Sequence, residues 1–106
     1  MVDQELDDLR REFLVEADEK VREIQTIVGD RSPEALDRLN YLAHQLKGSG
    51  GSYGFENISN DAAELEKAVE QRVSDDHSEG AIEEKIRLHV SNLRSEIERR
   101  TRELAQ

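Results

Sequence analysis

The chain has 106 residues, 35% of them apolar and 38% charged, with a net charge of −10 and no cysteine. This is one domain with a modest core; disulfides and thiolate metal sites are excluded, and with no basic stripe to meet a phosphate backbone, nucleic acid and anionic membranes are unfavourable partners. No apolar run exceeds a few residues, Phe13-Leu14-Val15 being typical, so neither a membrane span nor a signal-peptide core is expected and the default is a soluble, cytoplasmic protein. A partner with a basic surface, or one that binds through an apolar patch, is easier to accommodate. A composition this charged folds only if its apolar residues meet on one face.

They do so four times. The first stripe is Leu6, Leu9, Phe13, Ala17, Val21, Ile24 and Val28, stepping by three and four as one helix face does. Acidic residues crowd its first turns, where negative charge complements the helix dipole, and Gly29 ends it. Leu14 sits at the edge of this stripe and Val15 points away from it. Ser32 is a candidate N-cap and Pro33 suits the first position of a second helix, whose stripe is Leu36, Leu39, Ala43 and Leu46. It runs up to Gly48, Gly50 and Gly51. After a connector or loosened helix end over 51–56, a third stripe follows as Ile58, Ala62, Leu65, Val69 and Val73. A polar loop containing His77 precedes the fourth stripe: Ile82, Ile86, His89 or Val90, Leu93 and Ile97. The helices are expected over 3–28, 33–50, 56–73 and 79–104. Short connections favour antiparallel neighbours, hence an all-α, up-down-up-down four-helix bundle forming a single domain over 1–106. A long dimeric coiled coil is the structural competitor, disfavoured because glycines and loops break the heptads.

The second helix carries the chemistry. With Leu36 at 0° and about 100° per residue, Leu39, Ala43 and Leu46 fall at about 300°, 340° and 280°. His44 falls at about 80°, roughly 140° from the centre of that stripe, and is therefore no core histidine. Lys47 and Gly48 flank it one turn on, Gly51 and Asn40 extend the same face, and Tyr41 stands one turn before it, also off the core. Three helical glycines cost roughly 2–3 kcal/mol relative to alanine. One would suffice to end a helix, so the cluster suggests that something bulky approaches His44 closely. An exposed neutral imidazole is a good nucleophile, and phosphoryl transfer relies on positioning and charge stabilisation, for which Lys47 is placed to help.

Two other chemistries fit poorly. The glycine-rich run 48–54 has its lysine before the glycines rather than after them, no preceding strand, and Tyr53 where a dinucleotide fingerprint needs its third glycine. His44, His77 and His89 have no i, i+4 spacing for a shared metal, and His89 reads as a partly buried helix-face residue.

His44-Gln45-Leu46-Lys47-Gly48, then Gly54-Phe55, then Ile58, Ala62, Leu65 and Glu66, resembles the histidine phosphotransfer (HPt) domain of phosphorelays, and is similar to the phosphotransfer domain of chemotaxis histidine kinases. The resemblance covers nearly the whole chain. It implies that His44 is the phosphorylated histidine, accepting at Nε2. It also implies that Lys47 neutralises the phosphoryl group, that Gly48 leaves room for the partner's active site, and that Glu66, 22 residues after His44, hydrogen-bonds the other ring nitrogen. Implied partners are response-regulator receiver domains or a hybrid histidine kinase. The receiver brings the Asp and the Mg²⁺, so no metal or cofactor of the chain's own is expected. No nucleotide-binding or receiver domain is attached, which implies a free-standing, monomeric carrier rather than a kinase. Docking in this family uses an apolar patch beside the histidine on the first two helices; Tyr41, with Val15 or Leu14, is the candidate, and Gly51 is a second open position on the approach. The rival is an HPt-like binding module that docks a receiver or kinase and scaffolds or inhibits it without being phosphorylated. Intact His44, Lys47 and Gly48 argue against that decay of the site.

Overall fold

The computed structural model describes residues 2–74 and 79–105. These form four helices: α1 (Val2–Ile27), α2 (Pro33–Ser52), α3 (Glu56–Ser74) and α4 (Glu79–Ala105). Each helix packs on its neighbour in sequence, and α4 closes the ring against α1, with no packing across the diagonals. Tie points fix the directions. Arg10 Nε donates to the Tyr53 carbonyl (3.2 Å) and Arg11 Nε to that of Leu104 (3.0 Å), so α1 begins where α2 and α4 end. Arg38 Nη2 donates to Glu23 (2.9 Å), joining the end of α1 to the start of α2. Along α3 and α4, Asn57 meets Glu96 and Arg72 meets Glu83. The result is the expected antiparallel bundle, 53 × 20 × 18 Å. Among the described residues, no helix is long and apolar enough to cross a membrane.

The α2 start is built as its sequence suggests. Ser32 Oγ accepts from the Ala35 amide (3.2 Å), and Pro33 occupies the first turn, where its missing N–H costs nothing. The end of α2 differs from expectation. The helix continues through the glycines to Ser52, and the chain reverses over residues 53–55. Gly54, with φ of +82°, takes the left-handed conformation that ends it. Phe55 then drops into the core, its ring stacked 5.5 Å from Phe13, which also stacks on Tyr53 at 5.4 Å. Each such aromatic pair contributes about 0.5–1.5 kcal/mol beyond its buried area.

The stripes need two corrections. Leu6 and Leu9 are exposed rather than in the core. Arg11 binds the Leu104 carbonyl at the end of α4, so the first two turns of α1 lie at the tip of the bundle, where Leu6 and Leu9 are left exposed. Leu14, expected at the edge and entertained as a docking residue, is buried, as is Leu42 on α2. Each helix here touches two neighbours, so its buried face is wider than a single row. The half-buried His89 meets Asp61 of α3 (Nδ1···Oδ1 3.3 Å), as a helix-face residue should. His77 and the rest of residues 75–78, like the side chain of Val73, lie outside the described residues.

Gly50 belongs to the core, not to the approach to His44. A Cβ there would sit 3.2 Å from the Ser59 amide nitrogen, 3.3 Å from Ile58 Cγ2 and 3.5 Å from the Phe55 carbonyl oxygen. The missing side chain lets α2 lie against the first turn of α3. A Gly50→Leu variant is expected to lose about 1–3 kcal/mol of stability by overpacking, read as a lower urea midpoint at unchanged slope; unaltered stability would show that the two helices separate freely there.

Candidate functional site

The close approach at Gly50 sets the register of α3 against α2. Phe55 N–H donates to the Gly50 carbonyl (2.8 Å), and Ser59 Oγ donates to the Lys47 carbonyl (2.8 Å). Two turns further along α3, Glu66 stands beside Leu65 of the core and faces the α2 surface that carries His44 and Lys47. Its two oxygens are divided between them: Oε2 lies 2.9 Å from His44 Nδ1, and Oε1 accepts from Lys47 Nζ at 2.8 Å. The side chains are graded in exposure, 14% for Glu66, 39% for Lys47 and 62% for His44. The carboxylate is thus the buried pivot and the imidazole the exposed tip.

The electrostatics follow. The Lys47 ammonium holds the Glu66 carboxyl below the ordinary glutamate range, and the His44 hydrogen bond adds to this while burial opposes it. Near neutral pH Glu66 is therefore a carboxylate, which only accepts hydrogen bonds. A neutral His44 must then carry its proton on Nδ1, leaving the lone pair on Nε2. Nε2 has no partner among the described residues.

Beside His44 lies an open depression of about 410 Å³, lined by His44, Gln45, Gly48, Ser49, Ser52 and Tyr53. A Cβ on Gly48 would meet nothing within 4 Å, so no packing inside the bundle requires this glycine. Gly51, expected on the approach, is exposed but lies on the α3 side, where its Cβ would stand 3.5 Å from Ser59 Oγ. Tyr41 is exposed one turn before His44, its ring beneath the Arg38 guanidinium at 5.3 Å. Val15 is not part of that surface: it lines a groove with Ile97 and Arg102 of α4. No group of three or more His, Asp or Glu placed to hold a metal occurs among the described residues. Sequence reasoning missed Ser59, whose acceptor is a backbone carbonyl with no signature of its own.

The frame is thus a ring of four antiparallel helices with an exposed histidine held against a carboxylate of the next helix. The Hpt domain family model matches residues 8–99, and the chain belongs to that family. Hpt domains are phosphocarriers of phosphorelays, interacting with response-regulator receivers and kinases. No curated protein and no solved structure matches the chain significantly.

The lowered pKa of Glu66 has a signed consequence. Its stabilising contacts are fully present above the unfolded glutamate value of about 4.3 and are lost as pH falls through the lower folded value. The stability advantage of wild type over Glu66→Gln, from urea denaturation, should be level above about pH 5 and shrink on further acidification. An advantage unchanged down to pH 3 would mean that Glu66 is not the ionised partner. By ¹⁵N NMR a Glu66→Ala variant, which removes the acceptor altogether, should lose the preference of His44 for the Nδ1–H tautomer.

Proposed function

We propose that this chain is a phosphohistidine carrier in which His44 Nε2 accepts a phosphoryl group from the aspartyl phosphate of a receiver domain, or from a histidine kinase, and passes it to the aspartate of a response regulator. The observation that carries this reading is the engagement of Nδ1 by Glu66, which leaves Nε2 as the nucleophile at the exposed end of the ring.

In the forward step the Nε2 lone pair attacks phosphorus. The N–P bond forms, the P–O bond to the aspartyl carboxylate breaks, and the carboxylate leaves with the electron pair. The Nδ1 proton stays on the ring, where Glu66 balances the positive charge that develops. Lys47, held within reach by Glu66, offers its ammonium to the phosphoryl oxygens on Nε2. Transfer onward is the reverse, with the second receiver's aspartate as nucleophile and its bound Mg²⁺ neutralising the oxygens there. The absence of a side chain at Gly48 admits the receiver's active site, and the exposed Tyr41 lies on the surface it covers. In this reading the chain acts as a single domain, a cytoplasmic monomer and a carrier rather than an autonomous kinase.

Incubation with a phosphorylated receiver should place acid-labile, base-stable phosphate on wild type and none on His44→Gln. Unlabelled wild type with several receivers and kinases would sink the carrier reading and leave a docking module.

Two variants separate chemistry from approach. Lys47→Ala should slow transfer about 10- to 100-fold, at or below the range for removing one donor to a developing charge because Lys47 is more than a third exposed. Gly48→Ala should raise helix stability by about 0.5–1 kcal/mol, since its Cβ meets nothing, yet slow transfer between proteins. Rapid-quench transfer rates and denaturation curves read both; a Gly48→Ala variant as fast as wild type would remove the steric role of that glycine.

A further inference from the structure

We propose that the groove between α1 and α4, on the back of the bundle, docks an acidic amphipathic helix of a protein partner. Two depressions follow one another along it. One, of about 400 Å³, lies over Val28 and Val90 beside Arg87 and Arg94. The other, of about 370 Å³, lies over Leu14, Val15 and Ile97 beside Arg102. Glu98 borders both, so they form one trough. From Arg87 to Arg102 it spans about 22 Å at 1.5 Å per residue, the length of a four-turn helix. Leu14, Val28, Val90 and Ile97 give it apolar ground between polar walls, and Val15 stands 60% exposed on its wall, an aliphatic side chain left largely uncovered by the bundle.

The charges select the occupant. Both acidic residues of the trough are already neutralised: Asp18 by Arg22 at 2.8 Å and Glu98 by Arg94 at 3.1 Å. Arg94 also donates to Gln25 of α1. Arg87 and Arg102, one near each end, have no carboxylate partner among the described residues. On a chain of net charge −10 this is a local reversal of sign. A helix that lays leucine-like side chains on the floor and sets a carboxylate near each end matches both the apolar and the charged pattern. A basic helix would meet two unpaired guanidiniums instead. The trough lies across the ring from the α2–α3 pair that carries His44, so an occupant leaves the histidine open. The inference does not depend on His44 being phosphorylated.

The probe is an 18-residue helical peptide with leucines at three- and four-residue spacing and glutamates near both ends, compared with its lysine-for-glutamate counterpart. Titrated into the ¹⁵N,¹³C-labelled full chain, the acidic peptide should bind at least tenfold tighter than the basic one. It should shift the methyl signals of Val15, Val28, Val90 and Ile97 while leaving His44 unmoved. The Arg87→Glu, Arg102→Glu double variant alters two residues without internal ion pairs, so it should stay folded and reverse the preference between the peptides. Equal affinity for both peptides, shifts centred on α2, or no saturable binding would each overturn the proposal. So would a concentration-dependent dimer, by sedimentation, that Val15→Asp dissolves, since the occupant would then be a second copy of the chain.

Discussion

The Glu66 carboxylate, shared between His44 Nδ1 and Lys47 Nζ across two helices, is the interaction on which the site depends. One anion performs three tasks. It chooses the tautomer of the imidazole, it neutralises the lysine near that imidazole, and it ties α3 to α2 at the level of the chemistry. Because Glu66 is mostly buried while His44 is mostly exposed, the anchoring carboxylate lies largely inside the protein and the free ring nitrogen outside. A surface histidine without such a pivot would divide its proton between two nitrogens and sample several rotamers, and the nucleophile would be present only part of the time.

That pivot depends in turn on backbone proximity at the end of the bundle. Gly50 lets α2 and α3 approach, Gly54 reverses the chain, and Phe55 anchors the turn on Phe13. Ser59 then bonds the Lys47 carbonyl. From this fixed point Glu66 is seven residues along α3, close to two full turns, and returns to the same face as Ser59. The aromatic and hydrogen-bonded turn is what sets this register. The cluster of glycines is therefore not one feature. Gly50 serves packing, Gly54 the turn, and Gly48 meets nothing inside the bundle.

Much of this was legible from residue spacing. The stripes placed four helices, and the wheel angle of His44 put it outside the core. The reach between the second helix and Glu66 came from a family pattern together with the place of Glu66 at the border of the third stripe, and the structure shows the contact. What spacing missed has a common cause. Burial of Leu14 and Leu42, exposure of Leu6 and Leu9, and the separation of Val15 from Tyr41 all depend on which neighbour a helix touches and where that neighbour ends. A single-helix periodicity holds no such information. Gly50 and Ser59 escaped because their partners are backbone atoms, which every residue has.

The ring arrangement has a consequence for how the two faces relate. Among the described residues no packing crosses the diagonals, so a load on the α1–α4 groove reaches α2 and α3 through the shared apolar core and the polar ties between neighbouring helices. Close-packed interiors of that kind resist small displacements, and the His44–Glu66–Lys47 contacts are anchored by their own turn at the end of α2. A helix seated in the groove would therefore hold the domain in place without disturbing the imidazole. The physical separation is between a face with an open glycine and an exposed imidazole and a face with apolar side chains between two guanidiniums that have no carboxylate partner among the described residues. On one small bundle, that division would allow tethering and transfer to be set independently.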